Sequence, residues 1–241
     1  SQSMGREKGE GAASWFAVRL NGREFLPNIR NRWKTNEDGM RHLIAARRVE
    51  VTGDTLAYVR FLDDFPAVGL TNTWLDIGGI QSRSDPKVYV VQTANEALER
   101  CILMATDPGD LVLDPTCGSG TAAYVAEQWG RRWITIDTSR VALALARTRL
   151  MGAKYPYYLL ADSPEGIRKE AEITGKIPPE YKTDGDVREG LVYRRVPHVT
   201  LKSIANNPDI KEGMTRQEID TAIMRHAGTE LLYDQPYEDA K

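Results

Sequence analysis

Residues 111–121 read Leu111-Val112-Leu113-Asp114-Pro115-Thr116-Cys117-Gly118-Ser119-Gly120-Thr121. A short apolar strand passes through an acidic residue into a glycine turn, and the text after Thr121 is helical. A parallel strand delivers Asp114 at its carboxyl end, and Gly118 and Gly120 let the backbone approach a ligand closely. Downstream, the pattern predicts a helix over 121–129 ended by Gly130, then a strand over 133–136 with Asp137 at its tip. A helix over 140–151 follows Ser139, and a third strand over 157–161 ends at Asp162. Upstream, Ala97, Leu98, Cys101, Ile102 and Ala105 share one face of a helix predicted over 94–106, which stops at Asp107-Pro108-Gly109-Asp110. Strands and helices alternating at this spacing indicate parallel βαβ units, whose ligands bind beyond the carboxyl ends of the strands. All three strand tips carry an aspartate.

Toward the amino end, the first ten residues are polar and aperiodic. Residues 15–20 and 23–26 around Asn21-Gly22 predict a hairpin. A helix capped by Asn36 is expected over 37–47, and strands over 49–52 and 56–61 flank Gly53-Asp54. Residues 66–79 read as loop and mark a boundary. Beyond Asp162, residues 163–190, with Pro178-Pro179, read as an extended excursion. Pro197 argues against a central strand over 191–204. Thr215 and Glu218 form the capping box of a helix to His226. The expected architecture is therefore α/β, with a partial Rossmann-like sheet and flanking helices behind a small N-terminal α+β segment. The segments divide as 1–66, 67–162 and 163–241.

With 241 residues, 41% of them hydrophobic and 27% charged, the chain can bury a sizeable core. The net charge of -2 is uneven, because residues 1–62 hold 11 Lys and Arg against 7 Asp and Glu. Two cysteines, Cys101 and Cys117, no membrane-length apolar run and no signal-peptide pattern point to a reducing, cytoplasmic setting. Both cysteines read as packing residues. No Cys/His ligand spacing indicates a metal.

Gly118, Gly120 and Ala123 satisfy the dinucleotide pattern G-x-G-x-x-G/A, with Asp137 as a ribose partner. That reading leaves Asp114-Pro115 unexplained, since a carboxylate at the glycine turn repels a pyrophosphate and attracts a cationic amine. S-adenosylmethionine matches all three acids: an ammonium for Asp114, ribose hydroxyls for Asp137 and an adenine amino group for Asp162.

The run Asp114-Pro115-Thr116-Cys117-Gly118-Ser119-Gly120-Thr121 resembles the cofactor motif of amino-methylating DNA methyltransferases, the adenine-N6 and cytosine-N4 enzymes. Gln92-Thr93 before the helix with Leu98-Glu99-Arg100, and the Pro108-Gly109-Asp110 turn, look like the segment preceding that motif where catalysis is encoded first. The resemblance spans roughly 74–162 and is closest to the modification subunits of type III restriction systems. It implies S-adenosylmethionine as cofactor, held by Thr93, residues 114–121, Asp137 and Asp162, and double-stranded DNA as substrate. The family pattern has Phe at the position of Thr116 and Lys-Pro at Thr93-Ala94.

The family's catalytic tetrapeptide, Asp/Asn/Ser-Pro-Pro-aromatic, is missing. The one Pro-Pro pair is flanked by Ile177 and Glu180, so no catalytic residue is assigned here. The chain is expected to be a fragment, inactive alone, whose catalytic half is encoded before it. On this reading the basic residues Arg19, Arg23, Arg30, Arg32, Lys34, Arg41, Arg47 and Arg48 contact DNA phosphates in a recognition segment. Without the missing catalytic half, the edge of the strand over 111–113 needs a cover, either residues 191–204 or a second copy of the chain. A restriction subunit is a further expected partner. The rival readings are an RNA guanine-N2 methyltransferase, an NAD-dependent oxidoreductase and a non-catalytic DNA-binding module.

Overall fold

The computed structural model describes residues 1–7, 12–78, 89–178 and 182–239. They fall into two units, residues 1–68 with 195–231, and residues 69–194 with 232–241. Strands β1 (Gln2–Ser3) and β2 (Gly5–Glu7) open the chain. The expected hairpin forms from β3 (Val18–Leu20) and β4 (Arg23–Phe25), and β5 (Asn31–Trp33) pairs antiparallel with β2. Helix α1 (Glu37–Ala45) starts where Asn36 accepts the Gly39 N–H at 2.9 Å, and Glu37 and Asp38 sit at its positive end. A second hairpin, β6 (Val49–Thr52) and β7 (Thr55–Tyr58), takes β1 as a third strand.

In the second unit, α2 (Asn95–Ala105) leads through the Pro-Gly turn into β8 (Leu111–Asp114). Helix α3 (Thr121–Gln128) then carries the chain to β9 (Arg132–Thr135), which lies parallel to β8 with Val112 opposite Trp133 and Asp114 opposite Thr135. Helix α4 (Arg140–Gly152) starts from Ser139, whose side chain accepts the Ala142 N–H. One face of the β8–β9 pair, with Val112 and Trp133, meets Ile102, Val125, Ala126 and Trp129 from the helices. The other face is open: Leu111, Leu113, Ile134 and Ile136 are 51%, 61%, 49% and 53% exposed.

Past α4 the structure departs from the sequence reading. Residues 157–161 form no strand beside β9; Tyr158 and Leu160 make single antiparallel bridges to Glu238 and Leu191. The physical reason is that Leu159 is engaged on both its backbone groups, donating to Tyr237 O and accepting from Val192 N. The excursion over 163–190 contains α5 (Pro164–Thr174), with Ser163 as cap, Pro164 in its first turn and left-handed Gly175 at its end. Each of these is a helix signal that composition masked. Pro179 and Glu180, half of the Pro-Pro reading, lie outside the described residues, as do Lys8–Glu10 and Gly79.

Strand β10 (Tyr193–His198) does contain Pro197. It forms a two-stranded sheet, in which a residue without an N–H is tolerated. Its partner is the last strand, so 191–204 does not pair with β8. Helices α6 (Leu201–Ala205) and α7 (Arg216–His226) follow, the latter capped by Thr215 and Glu218 as expected, and β11 (Gly228–Pro236) closes the chain against β10.

The core of the first unit joins both ends of the sequence: Met4, Trp33, Met40, Leu43 and Leu56 are buried with Ile204, Ile210, Ile219 and Ile223. At its margin Arg48 and Asp64 form a buried bidentate pair, with Nη1–Oδ2 at 2.6 Å and Nη2–Oδ1 at 2.8 Å. The guanidinium lies 4.0 Å from the centroid of the Phe61 ring, whose own N–H donates to Asp64 Oδ2.

Candidate functional site

The register of β8 and β9 brings two of the three predicted acids to the same end of the strand pair, Asp114 opposite Thr135 and Asp137 two residues further on. Beyond the last paired residues, Ile136 N–H donates to Asp114 O at 2.9 Å and Cys117 N–H to Ile136 O at 2.8 Å, so the glycine turn is laced onto the end of β9. Asp137, next in line, accepts Gly118 N–H on Oδ2 at 2.9 Å and Ser139 N–H on Oδ1 at 2.7 Å. These two backbone donors, Ser139 first and then Gly118, hold its carboxyl below the usual carboxylate range.

Asp114 is half-buried. Its Oδ1 accepts the Thr116 N–H at 2.9 Å, while among the described residues Oδ2 has no donor. One oxygen thus shapes the turn and the other is available to a cation. Gly118 (φ 51°) and Gly120 (φ 75°) occupy the left-handed region, where a side chain is strained. They differ in surroundings. A Cβ on Gly118 would meet the Tyr89 ring at an ordinary contact distance of 3.7 Å, whereas one on Gly120 would lie 2.8 Å from Ala146 Cβ. The glycine turn is therefore loosely covered at Gly118 and closed against α4, whose buried positions Ala142, Ala146 and Leu150 recur along one face.

Pro115 and Thr116 are exposed, Cys117, Ser119 and Thr121 are buried, and Thr93 is exposed two residues before α2 begins. Asp162 is engaged by the loop that follows α5. It is buried, and its Oδ2 accepts the N–H groups of Asp184 and Asp186 at 3.1 and 2.9 Å. In this structure it anchors that loop and is not brought to the Asp114–Asp137 pair by strand pairing. Cys101, expected to pack, is exposed on α2.

Of the basic residues, Arg19, Arg23, Arg30, Arg41 and Arg47 are exposed and Arg32 and Lys34 half-buried. Arg19 meets Glu24, Arg23 meets Asp54 and Arg41 meets Asp38, all surface pairs that yield readily to a competing phosphate. Arg48 is the exception, being enclosed with Asp64. Among the described residues no group of three or more His, Cys, Asp or Glu is placed to hold a metal, and no helix is long and apolar enough to cross a membrane.

Tyr89, beside Gly118, was not singled out by sequence. The one available signal was its place as an aromatic in an apolar Tyr89-Val90-Val91 triplet just before Gln92-Thr93. His198 and His226 likewise meet acids that the sequence separates widely, Glu230 and Asp209.

Comparison with known proteins places this geometry in a class. The family model for DNA methylase matches residues 28–148, and the chain belongs to that family. Among its relatives, the Type II methyltransferase M2.DpnII of Streptococcus pneumoniae is 53% identical over 62 residues, 26% of this chain and 23% of that protein. M2.LlaDCHI of Lactococcus lactis subsp. cremoris is 48% identical over 68 residues, 28% of this chain and 25% of that protein. M.BamHI of Bacillus amyloliquefaciens is 34% identical over 82 residues, covering 34% and 19%. The matched stretches thus span a quarter or less of these relatives.

Proposed function

We propose that this chain is the cofactor-binding part of a site-specific DNA methyltransferase of a restriction–modification system, acting on adenine N6 or cytosine N4 with S-adenosylmethionine. The observation that carries the reading is Asp114: a half-buried carboxylate at a strand tip, one of whose oxygens has no donor among the described residues, directly beside a glycine turn. This arrangement suits a ligand with an ammonium and no phosphate. It is adverse to the pyrophosphate of a nicotinamide dinucleotide.

The residues fit such a cofactor as follows. Asp114 Oδ2 takes the ammonium. Asp137, whose oxygens each keep a lone pair after accepting a backbone N–H, takes ribose hydroxyls. Gly118, with the Tyr89 ring beside it, lets a ligand approach the backbone closely. When bound, the cofactor supplies a sulfonium methyl for displacement by the exocyclic amine of a base extruded from the duplex. This chain's share of catalysis is positioning. The strands β8 and β9 with α3 and α4 then form part of a Rossmann-like methyltransferase sheet. The apolar face of Leu111, Leu113, Ile134 and Ile136 supports a cover from outside the described residues, because parallel sheets are buried on both faces. No Asp/Asn/Ser-Pro-Pro-aromatic tetrapeptide occurs in the 241 residues, and we assign polarisation of the target amine to another segment, whether of the same enzyme or of a partner. Arg19, Arg23, Arg30, Arg32, Lys34, Arg41 and Arg47 would grip phosphates, with affinity that falls steeply as salt rises.

Calorimetric titration with S-adenosylhomocysteine and with NAD tests the reading. Binding of the first and not the second is expected; the reverse, or binding of neither, overturns it. Asp114→Asn keeps an acceptor for Thr116 but removes the charge. It should weaken S-adenosylhomocysteine roughly tenfold or more with little change in melting temperature.

Acid dependence gives an independent check. Because folding lowers the Asp137 carboxyl, the stability it contributes is complete above its unfolded value of 3.8 and is lost as pH falls through the lowered folded value. Protonation of Asp137 releases the Gly118 N–H, so affinity should carry no Asp137 titration between about pH 5 and 8 and decline only below about pH 4. An affinity step near neutrality that Asp137→Asn abolishes would contradict this.

A further inference from the structure

Under the glycine turn, on the side away from Gly118, lies a guanidinium that the reading above does not use. Arg149, in the last turns of α4, donates from Nη1 to Thr121 Oγ1 at 2.9 Å and to Ser119 Oγ at 3.5 Å, and from Nη2 to Asn95 Oδ1 at 2.9 Å. The two hydroxyls are themselves 2.9 Å apart and buried. The face of the guanidinium is 4.6 Å from the centroid of Tyr124 in α3. One planar group thus touches the turn, the first residue of α2, the second turn of α3 and its own helix α4.

We infer that Arg149 is a positioning residue for the proposed cofactor site, clamping the Ser119–Thr121 corner to the start of α2. The two segments it joins are those on which the cofactor reading depends: residues 114–121, and the stretch through Thr93 that runs into Asn95. The fork geometry is essential to the role. Parallel Nη donors at a fixed spacing reach two acceptors on different elements while the plane stays stacked on an aromatic ring. A lysine ammonium carries the same charge without that plane. Gly120 is pressed against Ala146, three residues before Arg149 on α4, so the turn is held from behind by steric contact and by the fork together. Loss of the fork frees the Ser119 and Thr121 hydroxyls to rotate and lets the backbone N–H groups of Gly118–Gly120 sample other directions, which lowers pre-organisation for a ligand.

The inference rests on the cofactor reading only for its binding arm, so the test has two arms on the full chain. In the first, hydrogen exchange of the amides of residues 116–122 is compared for wild type, Arg149→Lys, Arg149→Gln and Thr121→Val, without ligand. Exchange there should quicken about tenfold or more in all three variants, while amides of β6, β7 and α7 in the other unit keep wild-type protection. In the second, S-adenosylhomocysteine binding should weaken by a similar factor in Arg149→Lys, and Arg149→Lys/Thr121→Val should be no worse than either single variant. Wild-type exchange in the turn of Arg149→Lys overturns the clamp. So does an Arg149→Lys protein that binds ligand as wild type does, or effects of the two substitutions that simply add. If wild type binds no S-adenosylhomocysteine, the cofactor reading fails, and the exchange arm still decides whether the clamp exists. Should Arg149→Gln not fold, Arg149→Lys and Thr121→Val carry both arms.

Discussion

Asp64→Ala is expected to destabilise the first unit by about 3–5 kcal/mol, a large share of the stability of an ordinary domain. The pair it breaks is enclosed. Both oxygens of Asp64 are taken by the Arg48 fork, and one of them also holds the Phe61 N–H. Removing the carboxylate leaves a guanidinium buried against an aromatic ring with no counter-charge, and the cost comes from that stranded charge. Replacing both partners, as in Arg48→Met/Asp64→Leu, should recover most of the loss, since the desolvation of both ions is then avoided. Glu24→Ala, which breaks the exposed Arg19 pair, should cost less than about 1 kcal/mol. Urea denaturation of the four proteins checks all three values. Equal effects for the buried and exposed pairs would contradict the burial argument.

The second large effect is expected at Gly120. Gly120→Ala combines a left-handed backbone with a Cβ placed 2.8 Å from Ala146 Cβ and 3.2 Å from its Cα, so α4 must move or the turn must refold. Strain of about 1–3 kcal/mol for the backbone and a comparable amount for overpacking should abolish S-adenosylhomocysteine binding and lower the melting temperature. Gly118→Ala meets the same kind of backbone strain without a clash, its nearest neighbour being the Tyr89 ring at 3.7 Å. It should therefore lose affinity with a clearly smaller drop in stability. If the two substitutions behave alike, the distinction between a loosely covered and a closed side of the turn is wrong.

The parts of this structure legible in the sequence are those whose signals are local. The Asn21-Gly22 hairpin, the Asn36 and Ser139 caps, the Thr215–Glu218 box and the strand–turn–helix around Asp114 each state their conformation within a few residues. Pairing across distance was not legible. Residues 157–161 carry strand character, but their partners are Leu191 and Glu238, and nothing in Tyr-Pro-Tyr-Tyr-Leu-Leu names them. Helix α5 was hidden because its polar composition outweighed the Ser163-Pro164 start and the Gly175 stop. Arg48 shows the same limit at the site level. In the sequence it is one more cation in a basic stretch, and only the fold brings Asp64 to it. Arg149 was invisible for a related reason, since a fork that joins α2, α3 and α4 has no spacing of its own along the chain.

The first unit is assembled from two lengths of polypeptide, residues 1–68 and 195–231, separated in sequence by residues 69–194 of the second unit. Its interior mixes Met4, Trp33 and Leu43 from one length with Ile204, Ile219 and Ile223 from the other. A protease that nicks the connector around residues 69–78 should then leave two peptides that co-elute, held by that shared interior, and separate only in denaturant. The same interlacing means that the first unit needs both lengths, so a variant that stops at residue 215, before α7, should unravel a unit whose strands β1 to β7 come from the other length.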